Sequence, residues 1–169
     1  MHQSSLQLMD DFFKTLNVNQ SLTILDVGSL RVGWNDKTYR DLLLSCNWKY
    51  TGLDLSTGNN VDIVSSDLYH YPLDDNSFDI VISGQTLEHV AWPWEWIKEL
   101  YRVLKPGGIV YIIAPSEGPI HYRPDCWRIK PDGMEALLKY AGFKDIETDV
   151  DLTNSKWRDC WGKAIKNNI

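Results

Sequence analysis

Short apolar runs recur along the chain at residues 22–27, 50–55, 78–83 and 109–114, with a weaker version at 62–64. They lack the strict alternation of a strand with one wet face, so they predict strands buried on both faces of a parallel sheet. Between them, apolar residues fall at helical spacing over 37–46, over 93–104 with a proline in the first turn, and over 131–140 ahead of Gly142. Before the first run, residues 7–16 place Leu8, Phe12, Phe13 and Leu16 on one side of a helix, with Asp10, Asp11 and Lys14 elsewhere around it. Such alternation specifies an α/β fold with a parallel sheet. Segments 144–151 and 158–166 follow one another with no helix between them, which predicts an antiparallel hairpin at one sheet edge.

At 169 residues the chain is one domain, 1–169. Residues 1–20 form an amino-terminal helix or lid. Residues 116–130 form the longest irregular segment, at a strand's carboxyl end, where open α/β sheets place ligands. With 43% hydrophobic and 24% charged residues the composition is that of a folded domain. No apolar run is long enough to span a bilayer, and the first residues lack the features of a secretory signal, so a cytoplasmic protein with no membrane contact is expected. A net charge of −6, with Lys and Arg thinly spread, argues against a nucleic-acid partner. Cys46, Cys126 and Cys160 form no close pair and read as reduced, partly buried thiols. The four histidines include no i, i+4 pair on a helix, so no metal site is expected.

Asp26 ends the first strand, Asp54 ends the second, and Asp67 follows the third. Carboxyl ends of a doubly wound sheet line one crevice. A carboxylate there accepts hydrogen bonds from both hydroxyls of a ribose, and Asp54 is the candidate. Asp67 is placed to accept from an adenine amino group with Leu68 on the ring, although alone it reads as a solvated turn aspartate.

Five ordered motifs carry a family resemblance: Ile24-Leu25-Asp26-Val27-Gly28; Gly52-Leu53-Asp54-Leu55-Ser56; Asp67 followed by Leu73 to Val81; Thr86-Leu87-Glu88-His89-Val90; and Arg102-Val103-Leu104-Lys105-Pro106-Gly107-Gly108. In this order and spacing the chain resembles the class I S-adenosylmethionine-dependent methyltransferases, in particular the type 11 small-molecule branch. The resemblance implies a Rossmann-like, doubly wound, mostly parallel seven-stranded sheet with an antiparallel terminal hairpin. It implies S-adenosyl-L-methionine as cofactor and a small-molecule acceptor. Asp26, Gly28 and Ser29 would lie near the methionine part, Asp54 and Leu55 at the ribose, Asp67 and Leu68 at the adenine, and Gly84 and Gln85 beneath the sulfonium. Leu30 and Gly33 depart from the family's usual later glycines.

On the acceptor side, His121, Tyr122, Arg123, Asp125 and Arg128 fall within eight residues. A His121–Asp125 pair would serve as general base, with Tyr122, Arg123 and Arg128 binding the acceptor. The other reading is that Asp125 and Arg128 pair to fix the loop while Trp127 plugs the core. His89 either faces the acceptor or caps the helix beginning near Pro93. Trp94, on the polar side of that helix, suggests a partner or second subunit of the same chain, and a cofactor-binding subunit without activity stays an alternative. A nucleotide-dependent dehydrogenase would share the sheet, but Gly28-Ser29-Leu30-Arg31-Val32-Gly33 keeps only the outer glycines of a pyrophosphate loop.

Overall fold

The computed structural model describes residues 3–32, 37–43, 47–153 and 157–168. Helix α1 (Gln3–Lys14) leads into strands β1 (Thr23–Val27), β2 (Lys49–Asp54), β3 (Ile63–Val64) and β4 (Phe78–Gly84). Helix α2 (Pro93–Val103), strand β5 (Leu104–Glu117), helix α3 (Pro131–Ala141) and strands β6 (Lys144–Val150) and β7 (Arg158–Ile165) follow. The seven strands form one sheet in the order β3-β2-β1-β4-β5-β7-β6. The first five pair in parallel, and β7 runs antiparallel to both β5 and β6. This is the doubly wound sheet and terminal hairpin expected from the sequence. The order reverses at β1, between β2 and β4, which puts a crevice at the carboxyl ends of these strands.

Side chains alternate across the sheet, so consecutive residues feed two cores. Leu25, Val27, Val81, Val110 and Ile112 meet α2 and α3, while Ile24, Ile80, Ile82, Tyr111 and Ile113 meet α1. Phe12 stacks on Tyr111 with ring centroids 4.3 Å apart, which seats α1 on the sheet. Pro93 opens α2, and Gly142 closes α3 in the left-handed region at φ 95°, where a side chain would strain the turn. Lys166 Nζ donates to the carbonyls of Tyr101 and Leu104, both at 2.7 Å, and so ties the end of β7 to the α2–β5 junction.

Two expected boundaries move. α1 starts four residues earlier than the apolar pattern predicts and buries Ser5, Met9, Phe12 and Phe13. Ser5 is drawn inward by the Tyr39 hydroxyl, 2.6 Å away. The helix expected over 37–46 is, among the described residues, a short 3-10 turn at Arg40–Leu43. Asp41 Oδ2 there accepts from the Thr38 backbone N–H at 2.7 Å and from its hydroxyl at 2.9 Å, a local closure that competes with helix propagation. Gly33, Trp34 and Cys46 lie outside the described residues. Cys126 is exposed, and Cys160 is buried, where desolvation pushes its thiol up to about 12. No described helix is long and apolar enough to cross a membrane.

Candidate active site

A cavity of about 640 Å³ opens at the sheet's reversal point. One end is walled by Gly28, Leu30, Asp54, Leu55 and Leu68, the other by Glu88, His89, His121, Tyr122 and Arg123. Its volume falls in the range that holds a drug-sized ligand.

Backbone builds the first end. Gly28 adopts φ +81°, and a Cβ there would lie 2.0 Å from Thr86 Oγ1, so both conformation and space require glycine. The N–H groups of Gly28 and Ser29 donate to the Leu53 carbonyl at 2.9 and 3.1 Å, which hooks the loop onto β2. The next N–H, of Leu30, donates to Asp54 Oδ2 at 3.0 Å, and the Ser56 N–H donates to Asp54 Oδ1 at 3.1 Å. Asp54 is thereby fixed at the cavity wall with lone pairs to spare, since a carboxylate accepts about four hydrogen bonds. Leu30, standing where a second glycine was expected, keeps its backbone on Asp54 and adds an apolar side chain to the lining.

Several expected contacts fall elsewhere. Asp26 is 2% exposed and lies outside the lining. By strand parity it shares a face with Ile24, under the α1 layer, where its carboxylate accepts from the Tyr50 hydroxyl. Burial pushes its pKa up to about 7, against the lowering effect of that hydrogen bond. Ser29 and Gly84 face a small adjoining cleft of about 60 Å³. Asp67 turns back to accept from the Tyr69 N–H at 2.7 Å, leaving Leu68 alone at the cavity. Gln85 reaches the cavity with φ +60°, its amide donating to Asp159 Oδ1 at 2.9 Å.

The second end is built from side chains on two distant loops. Leu87–His89 form a 3-10 turn after β4, and His121 arrives from the loop after β5. His89 faces the cavity and does not cap α2, whose N-cap is Trp92. Asp125 and Arg128 stand behind the cavity and pair at 2.5 and 2.8 Å, and the guanidinium also donates to the carbonyls of Gly118 and Pro119. Arg128 is therefore committed to holding the loop and lies outside the cavity lining. Its hydrogen bonds hold the Asp125 carboxyl well below the usual carboxylate range. Asp125 in turn accepts from the His121 backbone N–H at 2.9 Å and lies 3.2 Å from His121 Nδ1. Trp127 does not plug the core: it is part-exposed, donates to the Val90 carbonyl at 2.7 Å, and meets Trp94 edge-on. Trp94 itself is 40% exposed.

Glu88 belongs to the Thr86-to-Val90 motif, and the sequence alone does not single it out as a site residue. Its side chain is 1% exposed, lines the cavity, and has neither oxygen hydrogen-bonded. Burial, the first cause, pushes its pKa up to about 8. The available signal was a carboxylate beside a histidine inside an otherwise apolar turn.

Comparison with known proteins agrees with this geometry. A methyltransferase domain of type 11 matches residues 25–112. A demethylmenaquinone methyltransferase of Staphylococcus epidermidis is 32% identical over 61% of this chain and 47% of that protein. The chain thus spans about half the length of that relative. Among solved structures, phosphoethanolamine N-methyltransferase 2 of Haemonchus contortus, crystallised with phosphomonomethylethanolamine and S-adenosylhomocysteine, superposes with a TM-score of 0.73 at 17% identity, over 98% of this chain and 53% of that one. An S-adenosylmethionine-dependent methyltransferase of Aquifex aeolicus gives 0.69 at 20% identity, over 97% and 93%. With the matched domain covering the β1–β5 framework that builds the cavity, the chain belongs to the class I S-adenosylmethionine-dependent methyltransferase family, in its type 11 branch.

Proposed function

We propose that this chain transfers a methyl group from S-adenosylmethionine to a small-molecule acceptor, with a hydroxyl of a sugar or other metabolite as the preferred target. The observation that carries the reading is the two-ended cavity, which pairs a pinned ribose-type carboxylate with a cluster of proton-accepting side chains. The residues fit the cofactor: Asp54 has free lone pairs for two ribose hydroxyls, and Leu55 and Leu68 offer apolar surface to a base. When bound, the cofactor supplies an electrophilic methyl on a sulfonium.

The chain's part is to align the acceptor and exclude water, because in-line displacement from a good leaving group needs position more than a large catalytic set. With the cofactor held by Asp54, Leu55 and Leu68, an acceptor oxygen would take the methyl carbon as the carbon–sulfur bond broke, leaving S-adenosylhomocysteine. A hydroxyl acceptor also loses its proton, and the Nε2 atoms of His89 and His121, beside the Glu88 carboxyl, lie at that end to receive it. Asp125 orients the His121 ring from behind. Tyr122 and Arg123 line the mouth through which a small acceptor enters.

Calorimetric titration with S-adenosylmethionine, S-adenosylhomocysteine and NADH tests the reading. Binding of the two sulfur nucleosides without NADH supports it, and failure of both at millimolar concentration sinks it. Radiolabelled methyl transfer to hydroxyl, amine and carboxylate acceptors then tests the choice of oxygen.

A further inference from the structure

Glu88, His89 and His121 present an electrostatic problem that their surroundings leave unsolved. Neither oxygen of the buried Glu88 carboxylate has a hydrogen-bond partner. Facing Oε1 are His89 Nε2 at 3.6 Å and His121 Nε2 at 4.0 Å, and all three ligand atoms lie within 4.8 Å of one another.

The tautomers follow from what the other ring nitrogens touch. His89 Nδ1 is 2.5 Å from the Pro124 carbonyl, which only accepts, so Nδ1 carries the proton. His121 Nδ1 is 3.2 Å from Asp125 Oδ2, a carboxylate kept ionised by Arg128, so it too donates. Each ring therefore turns an Nε2 lone pair toward Glu88. With Glu88 ionised and the rings neutral, three lone-pair ligands converge, so an ion held there would displace the proton that burial favours on Glu88, and two histidines each backed through Nδ1 by an oxygen repeat the outer-shell arrangement that orients metal ligands.

We propose that Glu88, His89 and His121 bind one divalent transition-metal ion at the acceptor end of the cavity. Two imidazoles and one carboxylate suit zinc, iron(II) or cobalt(II) better than the all-oxygen preferences of magnesium or calcium. Ligand atoms about 2.0–2.2 Å from such an ion stand roughly 3–3.5 Å apart, so small side-chain adjustments close the observed spacings. Three protein ligands leave the remaining positions open toward the cavity. If methyl transfer is the reaction, as proposed above, an acceptor oxygen in an open position would be polarised by the ion and would release its proton to water, the three side chains then serving as ligands and not as the base. Acceptors with two adjacent oxygens, able to chelate, are then favoured. Histidine spacing within single helices gives no sign of this set, which joins the turn after β4 to the loop after β5.

The test is titration of chelator-stripped protein with cobalt(II) at neutral pH, read by visible d–d absorption. The expected result is saturation at one cobalt per chain, displaced by zinc, with affinity lowered by more than about tenfold in His121→Ala and in Glu88→Gln, a loss that even an outer-shell change can produce. Circular dichroism and melting curves establish that each variant folds; His121, part-exposed on a loop, keeps the test available should Glu88→Gln fail to fold. Absence of cobalt bands in the folded wild type, or bands unchanged in folded His121→Ala, overturns the proposal. Parallel titration with S-adenosylmethionine separates the two readings: nucleoside binding without cobalt binding removes the metal and leaves methyl transfer standing, and the converse removes methyl transfer alone.

Discussion

The two ends of the cavity are made of different material. At the end proposed for the cofactor, Gly28, Ser29 and Leu30 use backbone N–H groups to grip Leu53 and Asp54, so polar demand is met within the protein before any ligand arrives. At the end proposed for the acceptor the polar atoms belong to side chains, and the Glu88 carboxyl is left without a hydrogen-bond partner. A backbone-built site tolerates changes of side chain and specifies one ligand shape. A side-chain-built site changes chemistry with a single substitution, which is where acceptor specificity within one fold varies.

The contrast can be broken most sharply at Gly28. Gly28→Ala places a Cβ on Thr86 at positive φ, so it is expected to abolish measurable nucleoside binding and to lower stability by about 2–4 kcal/mol. Calorimetry and urea unfolding check this, and wild-type affinity in the variant would mean that backbone does not define the end.

Next in size is the pH dependence carried by Asp26. Its carboxyl stays protonated in the folded chain to about pH 7, whereas in the unfolded chain it ionises above about pH 4. The folded state therefore holds the extra proton in this window. Its contribution is fully present below about pH 4 and is lost as pH rises through about 7. Asp26→Asn carries no such proton, so its stability relative to wild type should rise between pH 4 and 8, by on the order of 2–4 kcal/mol. Urea titrations at both pH values read the difference, and a constant offset would refute the buried, protonated carboxyl.

Asp54→Ala should weaken S-adenosylhomocysteine binding by about 1–3 kcal/mol, roughly 5- to 150-fold, while leaving cobalt binding unchanged. Equal loss at both ends would show them to be one coupled unit. The smallest effect is expected at Arg128→Lys, which gives up the two-pronged grip on Asp125 and costs about 1 kcal/mol of stability. It should raise the acceptor KM without altering nucleoside affinity, as steady-state kinetics would reveal.

This division also decides what could be read from the sequence. The β1, β2, β4 and β5 runs, Gly28 and Asp54 are local signals: a buried strand, a turn needing positive φ, and a carboxylate at a strand end. Asp26 lies apart from the cavity lining because strand parity, a matter of which neighbours each face meets, turns it toward the α1 side of the sheet. Asp125 and Arg128 could be foreseen either as loop fasteners or as acceptor ligands, and only their mutual fork decides between the two. The Glu88–His89–His121 cluster depends on two loops meeting in space, which no periodicity encodes. The short 3-10 turn at Arg40–Leu43 reflects a side chain outcompeting the helix that its apolar spacing favoured.

The position of β7 carries a consequence for how the chain comes together during synthesis. β6 leaves the ribosome first but finds no seat, because β7 lies between it and β5. Until β7 emerges, the long margin of β5 and the whole of β6 remain unpaired edges, open to association with other chains. Closure is thus a late, long-range event, and the Lys166 ammonium, gripping carbonyls at the α2–β5 junction, acts as the latch that completes it.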